Sequence, residues 1–366
     1  MQYHYRMYDE EKQFANAINH VPEFGPKTLA RIRNHFGSYK NAWEAEVREF
    51  LRIPQLEKKA LFSLEKIKEE KDPEKEYKNL ENEGISLILH DELPNMLKET
   101  PAPPEVLYVR GQMPKEDLNF LGVVGTRRYS TYGKEACSRI VGDLAGRNFV
   151  IVSGLAKGID SFSHEAAIRH KIKTVAVLGS GISPKVLFPK ENKKLADKIV
   201  ADGGAIISEY PYEMKANINT FPQRNRIIAG LSRAVWIVEA REKSGALITA
   251  RYALDFNREV LALPGSIFSE NAKGTNKLIK EGAAAITSSI DILNVFGIES
   301  NDSIPKSYEE FSDIEKKILD GISEPILKDD LMRKLGLSPS EIIPTLSLLE
   351  IKGVIKDSGG EIFKVI

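Results

Sequence analysis

The residues of this chain best suited to chemistry lie in short glycine-rich segments, each following an apolar run. Gly125-Thr126-Arg127-Arg128-Tyr129-Ser130 comes after the run at 121–124 and leads into a helical pattern. Glycine lets the backbone approach an anion, a helix N-terminus offers free N–H groups, and arginine adds a fixed fork of donors. Ser153-Gly154-Leu155-Ala156-Lys157-Gly158-Ile159-Asp160 repeats that composition, and Gly179-Ser180-Gly181-Ile182-Ser183 supplies glycine and serine a third time. Adjacent turns of this kind add their backbone dipoles at one edge, and the chemistry they suit is the binding of anions.

Two more segments join them. Phe221-Pro222-Gln223-Arg224-Asn225-Arg226 opens a helix with proline in its first turn. Arg224 and Arg226 there oppose the helix dipole, which suggests that a ligand's negative charge compensates. Arg226 could instead pair internally with Asp160 or Glu239. Phe221 could stack a base or staple the helix entry. Ser244-Gly245 opens a further helix and offers more amides.

Catalytic and metal constellations are missing. His164 follows Asp160 on a helix, but spacing matches no serine or cysteine nucleophile to a base. The single cysteine, Cys137, reads as core and excludes an internal disulfide, and the six histidines form no i,i+4 pair. Glu209 and Glu239 end strands, where they could form a carboxylate pair or balance the nearby arginines. A dinucleotide fingerprint is absent, and Ser153 stands where a ribose-binding acid is expected. The expectation is a binding protein with no cofactor, no metal and no catalytic role.

Elements must position these turns. Apolar runs at 121–124, 150–152, 174–178, 205–207, 234–238 and 259–263 alternate with helical patterns such as 132–146, where Ala136, Ile140, Val141 and Leu144 form one stripe. That alternation predicts an α/β fold with a Rossmann-like parallel sheet over residues 76–297, its ligand loops on one edge. Residues 1–75 predict a helical domain resembling a degenerate tandem helix-hairpin-helix or SAM-like bundle. Its second turn, Gln55-Leu56-Glu57, lacks glycine, which favours packing or protein contact over DNA. Residues 298–305 read as a linker, and 307–366 follow the order of a winged helix.

Composition sets the partners. A hydrophobic fraction of 42% and charged fraction of 28% fit a soluble globular protein of 366 residues. No signal peptide or spanning apolar run is visible, so the expectation is cytosolic, with no membrane contact. Formal net charge is zero, but residues 120–297 carry 25 basic and 16 acidic side chains, net +9. The flanks are net −4 and −5, so the middle is the part expected to meet a polyanion. The third helix of the terminal domain holds Glu341 and Glu350 against Lys352, and its wing has only Lys356; a protein-contacting role is expected there.

The motifs together resemble the DNA-processing protein A (DprA/Smf) family. The matching blocks are Val124 through Arg127, Ser153 through Asp160 with His164, Ser208-Glu209-Tyr210-Pro211, Phe221 through Ser232, Glu239-Ala240, Ser244 through Ala250, Arg258-Glu259-Val260, Pro264-Gly265, Gly274 through Ile279 and Gly282-Ala283. The resemblance implies an extended Rossmann fold that homodimerises, binds single-stranded DNA, protects incoming strands in natural transformation and loads the RecA recombinase. By position, Arg127, Lys157, Arg224 and Arg226 would contact phosphates, with Gly125, Thr126, Ser153, Gly154 and Gly158 adding amides or hydroxyls. Thr126 replaces the family's usual serine, and Leu93-Pro94 its frequent tyrosine-proline. The alternative is a nucleotide-processing Rossmann enzyme, a phosphoribohydrolase. That class carries P-G-G-x-G-T-x-x-E, where this chain reads Pro264-Gly265-Ser266-Ile267.

Overall fold

The computed structural model describes residues 2–299, 311–351, 354–358 and 360–364. It divides into two compact units, Met1–Ile298 and Glu299–Ile366.

The first unit begins with helices α1 (Gln2–Asn19), α2 (Pro26–Phe36), α3 (Tyr39–Glu44), α4 (Lys58–Glu70) and α5 (Pro73–Asn82). Asp72 caps α5 by accepting from Glu74 N and Lys75 N, and Pro73 fills its first position, so this helix runs across residue 75. Then follow β1 (Ile85–Leu89), α6 (Asn95–Lys98), β2 (Val106–Gly111), β3 (Asn119–Val124), α7 (Thr131–Gly142), β4 (Phe149–Ser153), α8 (Ile159–Arg169) and β5 (Lys173–Val177). After these come α9 (Lys193–Ala201), β6 (Ala205–Ser208), α10 (Thr220–Leu231), β7 (Ala234–Ile237), α11 (Gly245–Asp255), β8 (Glu259–Ala262), α12 (Lys273–Lys280), β9 (Ala284–Ala285) and α13 (Ser289–Val295).

The strands form one sheet in the order β1-β2-β6-β5-β4-β3-β7-β8-β9. From β6 to β9 every pairing is parallel, while β1–β2 and β2–β6 are antiparallel. The core strands read from the sequence are thus all parallel, and the sheet is mixed only at the end where β1 and β2, from the segment ahead of that core, are added; antiparallel neighbours need no helical crossover. The central strands are apolar throughout because helices cover both faces, and all five residues of β4 are buried. One core joins Ile18, Ile32 and Leu64 of the amino-terminal helices to Leu87, Tyr108 and Ile206 of the sheet. The helices of the first 82 residues thus share their hydrophobic interior with the sheet.

Strand β3 lies between β4 and β7, so the chain winds away from it in both directions. That reversal opens a crevice beyond the carboxyl ends of β3 and β7, the usual ligand position in an open α/β sheet. The helices leaving this rim are locally capped. Ser130 accepts from Gly133 N at 3.1 Å at the start of α7, and Ser244 accepts from Ala246 N at 3.3 Å at α11. Helix α7 stops at Gly142, earlier than the apolar pattern suggested, although Leu144 remains buried.

The second unit contains α14 (Asp313–Gly321), β10 (Ile326–Leu327), α15 (Lys328–Leu335), α16 (Pro339–Ile351), β11 (Ile355–Ser358) and β12 (Glu361–Lys364). Its sheet order is β10-β12-β11, and Ile318, Leu331, Ile342, Leu349 and Ile362 form its core. This is a winged helix, with β10 as a strand the sequence pattern did not reveal. Residues 300–305 of the expected linker lie outside the described residues, as do Lys352, Gly353 and Gly359. Among the described residues, no helix is long and apolar enough to cross a membrane.

Candidate nucleic-acid interface

The crevice holds a recess of about 380 Å³. Gly125, Thr126, Arg127 and Arg128 line it from the β3–α7 turn, and Arg241, Lys243, Ser244 and Gly245 from the β7–α11 turn. The first turn of α10 supplies Phe221, Arg224 and Asn225. A second recess of about 240 Å³ shares Arg127, Phe221 and Arg224 and continues to Gly154, Lys157 and Phe188. The two make one track along the rim.

Backbone pairing fixes the floor. Thr126 N donates to Glu239 O at 2.8 Å, and Thr126 Oγ1 accepts from Arg128 N at 3.1 Å. The Glu239 carboxylate accepts from Ser130 N at 2.9 Å and from Ser130 Oγ at 2.6 Å, so it anchors the β3–α7 turn. Gly158 has φ +86°, and a Cβ there would stand 2.5 Å from Thr126 O, so only glycine lets the first two turns touch. Over this floor, the Arg127 guanidinium lies 5.4 Å from the Phe221 ring centroid, and the Phe188 and Phe221 rings are 5.5 Å apart. A cation and two aromatic faces therefore stand together.

The basic side chains divide by burial. Arg127, Arg128 and Lys243 are exposed and show no carboxylate partner among the described residues. Lys157 pairs with Glu191 at 2.6 Å, both ends well exposed, and such a pair exchanges readily for a phosphate. Arg224 is only 4% exposed and donates from Nη1 to Gly154 O at 2.7 Å and to Val177 O, and from Nε to Asn225 Oδ1 at 3.2 Å. Burial pulls its pKa down to about 10, with Asp160 acting in the other direction. Asp160 accepts from Gly154 N at 3.1 Å and Ala156 N at 3.3 Å, and burial raises its carboxyl against the opposing pull of Arg224. Arg224 thus ties the β4–α8 turn to α10 and β5.

Several residues expected at the rim are turned elsewhere. Arg226 pairs with Glu209 and lines a separate recess, because two residues along a helix is a rotation of about 200°. Neither Asp160 nor Glu239 is its partner: they hold the turns just described. Ser153 is fully buried and donates to Val123 O at 2.6 Å. Ser180 is buried and donates to Gly181 O at 2.9 Å, while Gly179 packs behind Phe221. With Gly158, these three support the floor and do not line the track. Conversely, Arg128, Arg241, Lys243 and Phe188 were missed. Basic residues directly flanking the glycine-serine turns were the available signal. Thr249 also lines the recess, buried and with no partner for Oγ1.

Two titratable groups that the sequence raised, His164 and Cys137, are buried in the fold. His164 is buried, and its Nδ1 meets Thr174 Oγ1 at 2.7 Å. That hydroxyl gives its own proton to Ile151 O at 2.8 Å, so Nδ1 carries the imidazole proton. Burial lowers the ring's pKa to about 3, which keeps it neutral, and burial pushes the Cys137 thiol up. Among the described residues, no three histidine, cysteine, aspartate or glutamate side chains cluster as metal ligands would.

Fold and site define a Rossmann-like α/β protein with a basic, aromatic-lined crevice at its switch point. The chain belongs to the DNA recombination-mediator protein A family, whose model matches residues 84–297; the DprA winged helix domain matches residues 305–361. It is 36% identical over 351 residues to protein Smf of Synechocystis sp., covering 93% of this chain and 82% of the relative. It is 43% identical over 213 residues to the DNA processing protein DprA of Bacillus subtilis, covering 57% of this chain and 71% of that one. Among solved structures, DprA of Streptococcus pneumoniae matches with a TM-score of 0.63 at 30% identity, over 79% of this chain and 96% of that one. DNA processing protein A of Helicobacter pylori, solved for its single-stranded DNA binding mode, matches with a TM-score of 0.51 at 28% identity, over 58% of this chain and 95% of that one.

Proposed function

We propose that this chain binds single-stranded DNA along the track, protects the strand and passes it to RecA, acting as a cytoplasmic homodimer without catalysing a reaction. The observation that carries the reading is the convergence of Arg127, Arg128, Lys157, Arg241 and Lys243 with Phe188 and Phe221 on one rim. Phosphates are neutralised by the cations, and unstacked bases lie against the rings. The single-stranded DNA binding mode studied in the Helicobacter pylori relative supports the ligand. RecA and the homodimer rest on the resemblance alone.

A stiff duplex does not follow a recessed rim, whereas a single strand bends into it. Fluorescence anisotropy with a labelled oligothymidine should therefore give tighter binding than the same length of duplex. Arg127→Ala should weaken the single strand by about tenfold, roughly 1.4 kcal/mol. Equal affinity for both forms, or an unchanged Arg127→Ala, contradicts the reading.

A further inference from the structure

Residues 263–272 connect β8 to α12, and at their tip Ile267 is 78% exposed and Phe268 is 90% exposed. Among the described residues, Phe268 is the most exposed large hydrophobic side chain. A ring left in water is stabilised by any face that covers it.

Hydrogen bonds hold this tip in place. Asn276 Oδ1 accepts from Gly265 N at 3.1 Å, and Asn276 Nδ2 donates to Gly265 O at 2.9 Å. Ser269 N donates to Ser266 O at 3.0 Å, which closes a tight turn with Ile267 and Phe268 at its two central positions. A ring presented on a fixed turn loses little freedom when it binds.

The same segment is bonded to the track. Asn271 Nδ2 donates to Arg128 O at 2.7 Å, and Asn271 Oδ1 accepts from Arg241 Nε at 3.3 Å. Ala240 N donates to Asn271 O at 2.8 Å. Arg128 and Arg241 come from the β3–α7 and β7–α11 turns, and both line the track's recess. One asparagine therefore joins the aromatic tip to both basic turns. On its other side, Tyr132 Oη donates to Pro264 O at 2.8 Å, and a recess of about 430 Å³ opens between this segment, Ser130 and Tyr132. Glu239, the acid in that lining, already accepts from Ser130.

Charge selects the occupant. Residues 125–130 and 240–245 carry Arg127, Arg128, Arg241 and Lys243 against Glu242 alone, and Glu270 near the tip is matched by Lys273. Exposed rings beside surplus cations suit a polyanion with stackable bases better than an apolar protein face. Arg127 with Phe221 and Phe188 supplies that pairing at one end of the rim, and Arg128 and Arg241 with Phe268 repeat it at the other.

We propose that the β8–α12 turn continues the single-strand track, with Phe268 stacking a base beyond those held at Phe188 and Phe221. The proposal rests on the strand-binding reading and adds a segment to its footprint.

The test is anisotropy of the full chain, Phe268→Ala and Phe268→Trp with a labelled oligothymidine of about 16 nucleotides. Phe268→Ala should weaken binding about fivefold or more, and Phe268→Trp should restore it. Melting temperature should not change, because the ring is exposed. Sedimentation without DNA should be the same for wild type and Phe268→Ala; a change there assigns the turn to a contact between copies and overturns the proposal. Equal weakening by alanine and tryptophan contradicts stacking and overturns it too. Unchanged affinity of Phe268→Ala, with Arg127→Ala still weakened, overturns this proposal and leaves the strand-binding reading standing. Indifference to both substitutions overturns both.

Discussion

Arg127 and Arg224 line the same recess and do opposite work. The first is exposed with its guanidinium over Phe221, and the second is buried with donors fixed on Gly154 O and Val177 O. Removing a buried arginine leaves carbonyls and the Asp160 carboxylate without their partner, a loss typically of about 3 kcal/mol. Arg224→Met should therefore lower the urea midpoint markedly, while Arg127→Ala should leave it within roughly 0.5 kcal/mol of wild type. Similar midpoints for both variants would contradict this division. The sequence places these two arginines in comparable turns, and nothing in residue type distinguishes a binding guanidinium from a supporting one. Burial does, and it depends on the helix phase of α10 and on two strand-end carbonyls distant in the chain. The same limit explains Ser153 and Ser180, whose hydroxyls serve carbonyl groups beneath the rim.

At the level of elements, the central strands were legible because helices on both faces leave them continuously apolar. The edge strands were not. Strand β1 buries Ile85, Leu87 and Leu89 and exposes Ser86, a half-covered pattern too short to separate from a loop. Strands β9 and β10 have only two residues each. The glycine-serine turns were visible, as were their caps, but Phe188 was not. It sits in an irregular segment between β5 and α9, 45% exposed, and only the fold brings it to Phe221. Stacking of one base on an aromatic ring is worth about 1–3 kcal/mol by alanine substitution. Phe188→Ala should weaken oligonucleotide binding accordingly, at unchanged thermal stability, as read by anisotropy and melting. Full retention of affinity would remove Phe188 from the track.

Across the whole molecule, zero net charge conceals a division between units. The rim is basic, whereas the winged helix carries 14 acidic and 9 basic residues over 298–366. Glu341, in the first turn of α16, accepts from Ser338 N at 2.9 Å and Ser338 Oγ at 2.6 Å, a capping role that still leaves negative charge at the surface. Winged helices that bind DNA depend on basic recognition helices, because phosphate neutralisation supplies most of their affinity. Deleting residues 300–366 should therefore leave single-strand affinity unchanged or raised; a large loss in a filter-binding assay would assign DNA contact to this domain.

The most direct test of the basic rim is the salt dependence of single-strand affinity. Each phosphate neutralised on a single strand contributes about −0.7 to the slope of log K against log salt. The double variant Arg127→Ala/Lys243→Ala should bind more weakly and with a slope shallower by about 1.4 than wild type. Superimposable salt curves for the two proteins would contradict the account.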